Sequence, residues 1–338
     1  MNDQTKEQQI ELSASGRTHH FADRLIEAVK KKGNSVCVGL DPRLDRIPVG
    51  IKKMAIKKYD DGFEGAAQSI LEFNKGIIDA VAELVPCVKP QIAFYEQYGH
   101  RGLWAFEETC KYAQSKGLLV IADAKRNDIG STAQAYANAF LGEVEVFEEK
   151  IPAMYADALT VTPYLGYDGI KPFMEACREF GKGLFVLVKT SNPSSGDLQD
   201  QMIEGQFDES FGAGGRMKNY ELMAHLLDSW GSNDVGESGY SFAGAVVGAT
   251  YPTQAQELRV HLPNSIFLVP GYGAQGGGAK DVRPCFNDDG LGAIVNSSRG
   301  INYAYEREDF ADSFGPESYG EAARAATLAM IEDLRTIF

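Results

Sequence analysis

"GLLVIADAKRND", residues 117–128, is an apolar run that ends in Asp123, Lys125, Arg126 and Asp128. An uninterrupted apolar run of this length bounded by glycine predicts a strand covered on both faces, as in a parallel sheet. Alternate side chains of a strand share a face. Asp123 and Lys125 are therefore expected to point with Leu119 and Ile121 into the interior, and Val120, Ala122 and Ala124 toward covering helices. A D-A-K-R-N-D hexapeptide by itself is most often a solvated helix start. The apolar strand it terminates is what argues for buried charge.

Seven further runs of the same kind recur: "NSVCVGL" (34–40), "VPCVKP" (85–90), "ADALTVT" (156–162), "GLFVLVKT" (183–190), "FAGAVVGAT" (242–250), "SIFLVP" (265–270) and "GLGAIVNSS" (290–298). Helical periodicity lies between them, at 63–84, 103–115, 130–140, 170–180, 220–227, 252–260 and, weakly, 279–281. Eight strand-helix units predict an α/β protein with a closed (β/α)8 TIM barrel. An open doubly wound sheet shows similar alternation, and the count favours the barrel.

The first and second strands start about 50 residues apart, as do the fifth and sixth, against roughly 20 to 40 elsewhere. The segments 48–62 and 195–219 are accordingly expected to be loop insertions after strands 1 and 5, the second a mobile flap. Residues 17–338 are expected to form one barrel domain. An amphipathic helix over 17–32, with Phe21, Leu25, Ala28 and Val29 on one stripe, would close the barrel bottom, and a last helix would span about 317–337. Residues 1–16 are expected to be a disordered tail.

A formal charge of −14 (33 Lys and Arg against 47 Asp and Glu) opposes any broad grip on nucleic acid or anionic lipid, so an anionic ligand needs a local nest of donors. No apolar run is long enough to span a membrane, and the polar start is unlike a signal peptide. Five cysteines without a C-x-x-C pair fit packed, reduced thiols, and the expected location is the cytoplasm. The five histidines show no ligand spacing, so no metal site is expected.

Charge also gathers at the ends of other strands: Asp41 after "VCVGL", Lys89 after "PCV", Thr190 and Ser191 after "FVLVK", Arg299 after "IVNSS". A lone polar residue at such a place is commonly a cap or a solvent contact. Several together at the C-terminal ends of strands mark the face where barrel active sites are built. A core carrying Asp41, Lys89, Asp123, Lys125 and Asp128 would be an alternating network in which the carboxylates keep the lysines protonated, with Asp128 returning to Lys125. Such burial is costly, which argues for function. "VPGYGAQGGG" (269–278) after strand 7 and "NSSRG" (296–300) after strand 8 form the loop pair that holds phosphate in many barrels. Glycines such as Gly271 and Gly300 admit the anion to backbone N–H groups, Ser298 adds a hydroxyl, and Arg299 can grip it bidentately.

The D-x-K-x-x-D pattern at Asp123, Lys125 and Asp128, with "GLDPR", "VKPQ", "PGYGAQGG" and "NSSRG" in this order, resembles the orotidine 5'-phosphate decarboxylase family, in its longer bacterial branch (type 2), over roughly residues 20–335. The resemblance implies a dimeric barrel without cofactor that converts orotidine 5'-monophosphate (OMP) to uridine 5'-monophosphate (UMP) and CO2 in pyrimidine synthesis. By motif position Lys125 matches the general acid at C6 and Asp123 the carboxylate set near the substrate's own. Asp128 matches the one lent to the partner's site, and Asp41 and Lys89 match ribose contacts. Gln275 and Arg299 match the phosphate grip, shaped by Pro270 and Gly271; Thr132 matches a residue near the other subunit's nucleotide. The pyrimidine-reading serine lies among Thr190, Ser191, Ser194 and Ser195, with Ser191 favoured and Asn192 next.

Three rivals stand beside this reading. A Mg2+-dependent sugar-phosphate lyase on the same scaffold would want an acidic residue near the end of strand 2, where Lys89 stands. A Schiff-base aldolase using Lys125 or Lys189 needs a lysine of lowered pKa, against the effect of flanking carboxylates. A non-catalytic nucleotide sensor has no use for the costly Asp and Lys pairing.

Overall fold

The computed structural model describes residues 20–204, 215–273 and 277–338. Eight parallel strands close into a barrel: β1 (Val36–Leu40), β2 (Cys87–Pro90), β3 (Leu119–Arg126), β4 (Ala158–Val161), β5 (Gly183–Lys189), β6 (Ser241–Val247), β7 (Ser265–Val269) and β8 (Ala293–Ser297). They follow one another around the barrel in chain order, and β8 closes on β1 through Val36–Val295 to Val38–Ser297. This is the predicted TIM barrel. Every residue of β1, β2, β4, β6, β7 and β8 is buried, as strands packed between an interior and a helical jacket require.

The jacket includes helices Phe63–Val81, Gly99–Ser115, Gly130–Phe140, Tyr167–Phe180, Asn219–Gly231, Pro252–His261 and Tyr319–Arg335. The helix Phe21–Lys32 does seal the bottom, but its buried stripe is Phe21, Ala22, Leu25, Ile26 and Val29, with Ala28 half-buried at the edge. Phe21 packs on Gly183, the first residue of β5, where a Cβ would come within 2.1 Å of the ring, and it meets Phe185 edge-on. Burying such a ring stabilises the fold by about 1.5–3 kcal/mol. All five cysteines are buried and unpaired, so they act as small apolar packing units.

Both insertions differ from the expected loops. After β1 the chain forms the helix Val49–Lys58, anchored by Ile51 and Ala55 while Met54 and Ile56 face outward. Four lysines had obscured its short apolar stripe. After β5 come a 3-10 turn, Pro193–Asp197, and a small antiparallel pairing of Met202–Glu204 with Arg216–Lys218. The expected flap falls partly, and the expected disordered tail wholly, outside the described residues. A second hairpin, Val144–Val146 with Glu149–Ile151, was not foreseen, because its charged strands are exposed and lack an apolar pattern. Among the described residues no helix is long and apolar enough to cross a membrane.

Candidate active site

At the C-terminal mouth, β3 delivers Asp123, only 7% exposed, into the barrel. Lys89 at the end of β2 donates to its Oδ2 at 2.7 Å, and Lys125 to its Oδ1 at 2.5 Å. Thr160 of β4 donates its hydroxyl to the same Oδ1 at 3.0 Å and accepts the Lys125 backbone N–H at 3.0 Å. Burial would raise the Asp123 pKa, but Lys89 and Lys125 outweigh it and hold the carboxyl well below the usual carboxylate range. Burial likewise pulls Lys89 down, yet Asp123 and Asp41 push it above the ordinary lysine value. The site is thus an ionised array set before any ligand arrives.

Lys125 itself departs from the alternation predicted for the strand. Its φ of 48° lies in the left-handed region, and the β3–β4 register shifts between Ala122 and Arg126. This conformation costs a non-glycine residue about 1–2 kcal/mol. The Lys125 side chain is consequently 45% exposed rather than enclosed in the interior, and its amine folds back onto Asp123. Asp128 makes no return to Lys125: its carboxylate accepts the Ile129 N–H at 2.8 Å, and it is partly exposed. Asp128 lies beyond the end of β3, so the four charges of the motif divide: Asp123 is buried, Lys125 pairs with it from a half-exposed position, Arg126 pairs with Glu96, and Asp128 stands apart.

Asp41 ends β1 beside this array, and the pull of burial exceeds that of Lys89, so its pKa lies above the carboxylate norm. Its Oδ1 is shielded from solvent without a hydrogen-bond partner. The Ser298 hydroxyl pulls the Asp41 pKa the other way, and Gly39 makes room for that serine, since a Cβ there would lie 1.9 Å from Ser298 Oγ. The Asp41 carbonyl accepts from Tyr303, whose ring lies under the Arg46 guanidinium at 3.8 Å.

Asp41, Lys89 and Asp123 line a cleft of about 170 Å3 with Pro270, Gly271, Ser298 and Arg299, so residues from five strand ends meet there, while Lys125, Asp128, Thr190 and Ser191 are not among its lining residues. Tyr272 and Arg299 also line a second, wider cleft of about 680 Å3 that runs outward past Gly277, Gly278 and Gly300. Gly271 and Gly273, with φ of 100° and 72°, turn the loop after β7 as no bulkier residue does readily. Gln275 lies outside the described residues. Thr132, in the first turn of helix Gly130–Phe140, is exposed and away from both clefts.

The loop after β5 sorts the candidate hydroxyls. Ser195 is buried against Lys189 and Tyr251, and Thr190 is held by Gln199 and Asn192. The Ser191 hydroxyl has no hydrogen bond among the described residues, and Ser194 and Asn192 are exposed.

Four residues of the site escaped the sequence analysis. Gln91 and Asn296 line the cleft, Asn296 with a shielded and unsatisfied Oδ1, and Tyr272 spans both clefts. Thr160 orients Asp123. Gln91 was legible in "VKPQ"; Thr160, inside "ADALTVT", resembled any β-branched strand residue.

Two ammonium groups sharing one buried carboxylate at the C-terminal mouth of a closed barrel mark the chain as a β/α-barrel enzyme. Comparison with known proteins makes the class specific. The chain belongs to the orotidine 5'-phosphate decarboxylase / HUMPS family, whose model matches residues 34–314. It is 46% identical to the orotidine 5'-phosphate decarboxylase of Rhodopirellula baltica over 315 residues, covering 93% of this chain and 99% of that one. Against the enzyme of the same name from Caldicellulosiruptor bescii it is 46% identical over 300 residues, covering 89% and 94%. The structure of Leishmania donovani OMP decarboxylase aligns with a TM-score of 0.67 at 30% identity, covering 94% of this chain and 98% of that one.

Proposed function

We propose that the protein decarboxylates OMP to UMP and CO2, without a cofactor, as a cytoplasmic homodimer with shared sites. The Lys89–Asp123–Lys125 array carries this reading. Breaking the bond between C6 and the substrate carboxylate releases CO2 and leaves an electron pair in the ring plane, where no π system accepts it. Stabilisation must then be electrostatic and already in place. The Lys125 ammonium supplies it, then gives its proton to C6 and regains one from water. Each 1.4 kcal/mol of such preferential stabilisation is worth about tenfold in rate. Asp123, kept ionised by its two lysines, faces the substrate carboxylate, so departure of CO2 relieves a like-charge contact.

Asp41 and Lys89 bind the ribose hydroxyls. The phosphate lies at the end of the cleft marked by Pro270, Gly271, Ser298, Arg299 and Gly300, and Gln275 belongs to the same grip by its place in the motif. Binding energy gathered there is remote from C6 and available to expel water and align the ring. Ser191, with its hydroxyl uncommitted, reads the pyrimidine edge, with Asn192 beside it. At the end of β2 an ammonium stands where a divalent cation would need an anionic donor, which favours this chemistry over a Mg2+-dependent lyase.

Asp128 and Thr132 serve the site of a second copy. Ile129, Tyr164 and Leu165 expose apolar surface around them, 51%, 76% and 43% accessible, and Gly169 packs directly on the Asp128 backbone. The direct test follows the absorbance loss of OMP with purified protein: conversion to UMP is expected, and OMP left intact by folded protein would overturn the proposal.

A further inference from the structure

Lys189, the last residue of β5, is fully excluded from solvent, yet it faces neither cleft. Its ammonium donates to Asp200 Oδ1 at 2.8 Å and to Ser195 Oγ at 3.3 Å. The rings of Tyr251 and Tyr220 lie 4.5 and 5.7 Å away. An amine so committed is no Schiff-base nucleophile. A buried cation with a single carboxylate partner is nevertheless expensive to maintain, and the decarboxylation chemistry makes no use of it.

What it touches is the segment that follows. Ser195 and Asp200 both belong to the excursion after β5, and between them Gln199 turns back to accept the Thr190 N–H at 2.9 Å and to donate to Thr190 Oγ1 at 2.8 Å. Thr190 in turn donates to Asn192 Oδ1 at 2.6 Å. The far side is fixed as well. Gly248 donates to the Lys189 carbonyl at 2.8 Å and packs so closely on Ser191 that a Cβ would meet its Cα at 2.8 Å. Ala249 donates to the carbonyl of Pro270, a wall of the cleft, at 2.9 Å. Release of Asp200 or Ser195 would leave the ammonium buried without its partners, so the electrostatics favour one placement of residues 190–192.

We propose that Lys189 is a positioning residue for base recognition: its buried ammonium clamps Ser195 and Asp200 and thereby fixes Thr190, Ser191 and Asn192 where the pyrimidine is read. This rests on the decarboxylase reading of the site. The clamp acts on the base end alone, because the phosphate-end residues Ser298 and Arg299 follow another strand.

The test compares UMP with ribose 5-phosphate, which lacks the base, by calorimetric titration of the full chain and of Lys189→Met. UMP affinity is expected to fall about 10- to 100-fold, the scale of a lost charged hydrogen bond, with ribose 5-phosphate affinity unchanged and KM for OMP raised more than kcat is lowered. Equal weakening of both ligands, or unaltered UMP affinity, overturns the proposal. Should Lys189→Met not fold, Asp200→Asn, at a half-exposed position, carries the same expectations and the same refutations. Wild-type protein that neither binds UMP nor consumes OMP would instead sink the decarboxylase reading, and the clamp with it.

Discussion

The ammonium of Lys89 lies 2.7 Å from Oδ2 of Asp123, an ion pair between side chains 5% and 11% exposed. Removing the Asp123 carboxylate leaves Lys89 buried without its hydrogen-bonded partner and with only Asp41 to offset its charge, so Asp123→Asn is expected to lower stability by about 3 kcal/mol at pH 7 in urea unfolding. The pH dependence has a definite sign. The Asp123 pKa is depressed in the folded state, so its stabilisation is complete above the unfolded carboxylate value of about 4 and is lost as pH falls toward the folded one. The gap between wild type and variant should narrow below about pH 4. A gap constant down to pH 3 would contradict this assignment.

Asp41 runs the other way. Its pKa is raised chiefly by burial, so stability is lost as pH rises from the unfolded carboxylate value of about 4 through the folded one, and at pH 7 the ionised group is a full net cost. Asp41→Asn is therefore expected to stabilise the free protein at pH 7 by about 1 kcal/mol while impairing turnover. A less stable variant at that pH would show that the carboxylate is better compensated than its shielded Oδ1 implies.

Lys125→Ala should lower kcat by about 1,000-fold or more, since one side chain supplies both the electrostatic stabilisation and the proton. UMP binding should survive. Near-normal turnover of the variant would refute the assigned role.

Sharing of Asp128 across a dimer can be read by complementation. Protein carrying Asp128→Ala, mixed with protein carrying Lys125→Ala, should regain activity as subunits exchange, because one hybrid site then holds both native residues. No recovery despite exchange demonstrated by mass spectrometry would count against a shared site.

Thr160→Val removes the hydroxyl that bonds Asp123 and receives the Lys125 N–H, while keeping the shape of the side chain. An expected loss of about tenfold in kcat with little change in KM corresponds to one hydrogen bond acting on orientation. Should KM alone rise, Thr160 would belong to binding rather than to alignment of the array.

Much of this could be read along the chain. Eight apolar runs alternating with helical periodicity were sufficient for the barrel, because each strand is packed on both faces and carries its own burial pattern. Asp41, Lys89, Asp123 and Arg299 were legible because a charge that closes a buried strand stands out locally. The helix Val49–Lys58 was hidden by its lysines, and the hairpin at 144–151 by its lack of an apolar face.

Other features have no local signature at all. The left-handed turn at Lys125 arises from the register of β3 against β4, and it decides that the amine folds back onto Asp123 from a half-exposed position. The opposite shifts of Asp41 and Asp123 depend on contact: Lys89 and Lys125 act on both carboxylates but hydrogen-bond directly to Asp123. Lys189 finds Asp200 only once the excursion after β5 folds over it. Sequence alone determined the barrel and the kinds of charge at its mouth, because burial and periodicity are written residue by residue. Tertiary structure decided which charges pair, which stay shielded and which face away, because Coulomb energy depends on distances and exposure that only the closed barrel sets.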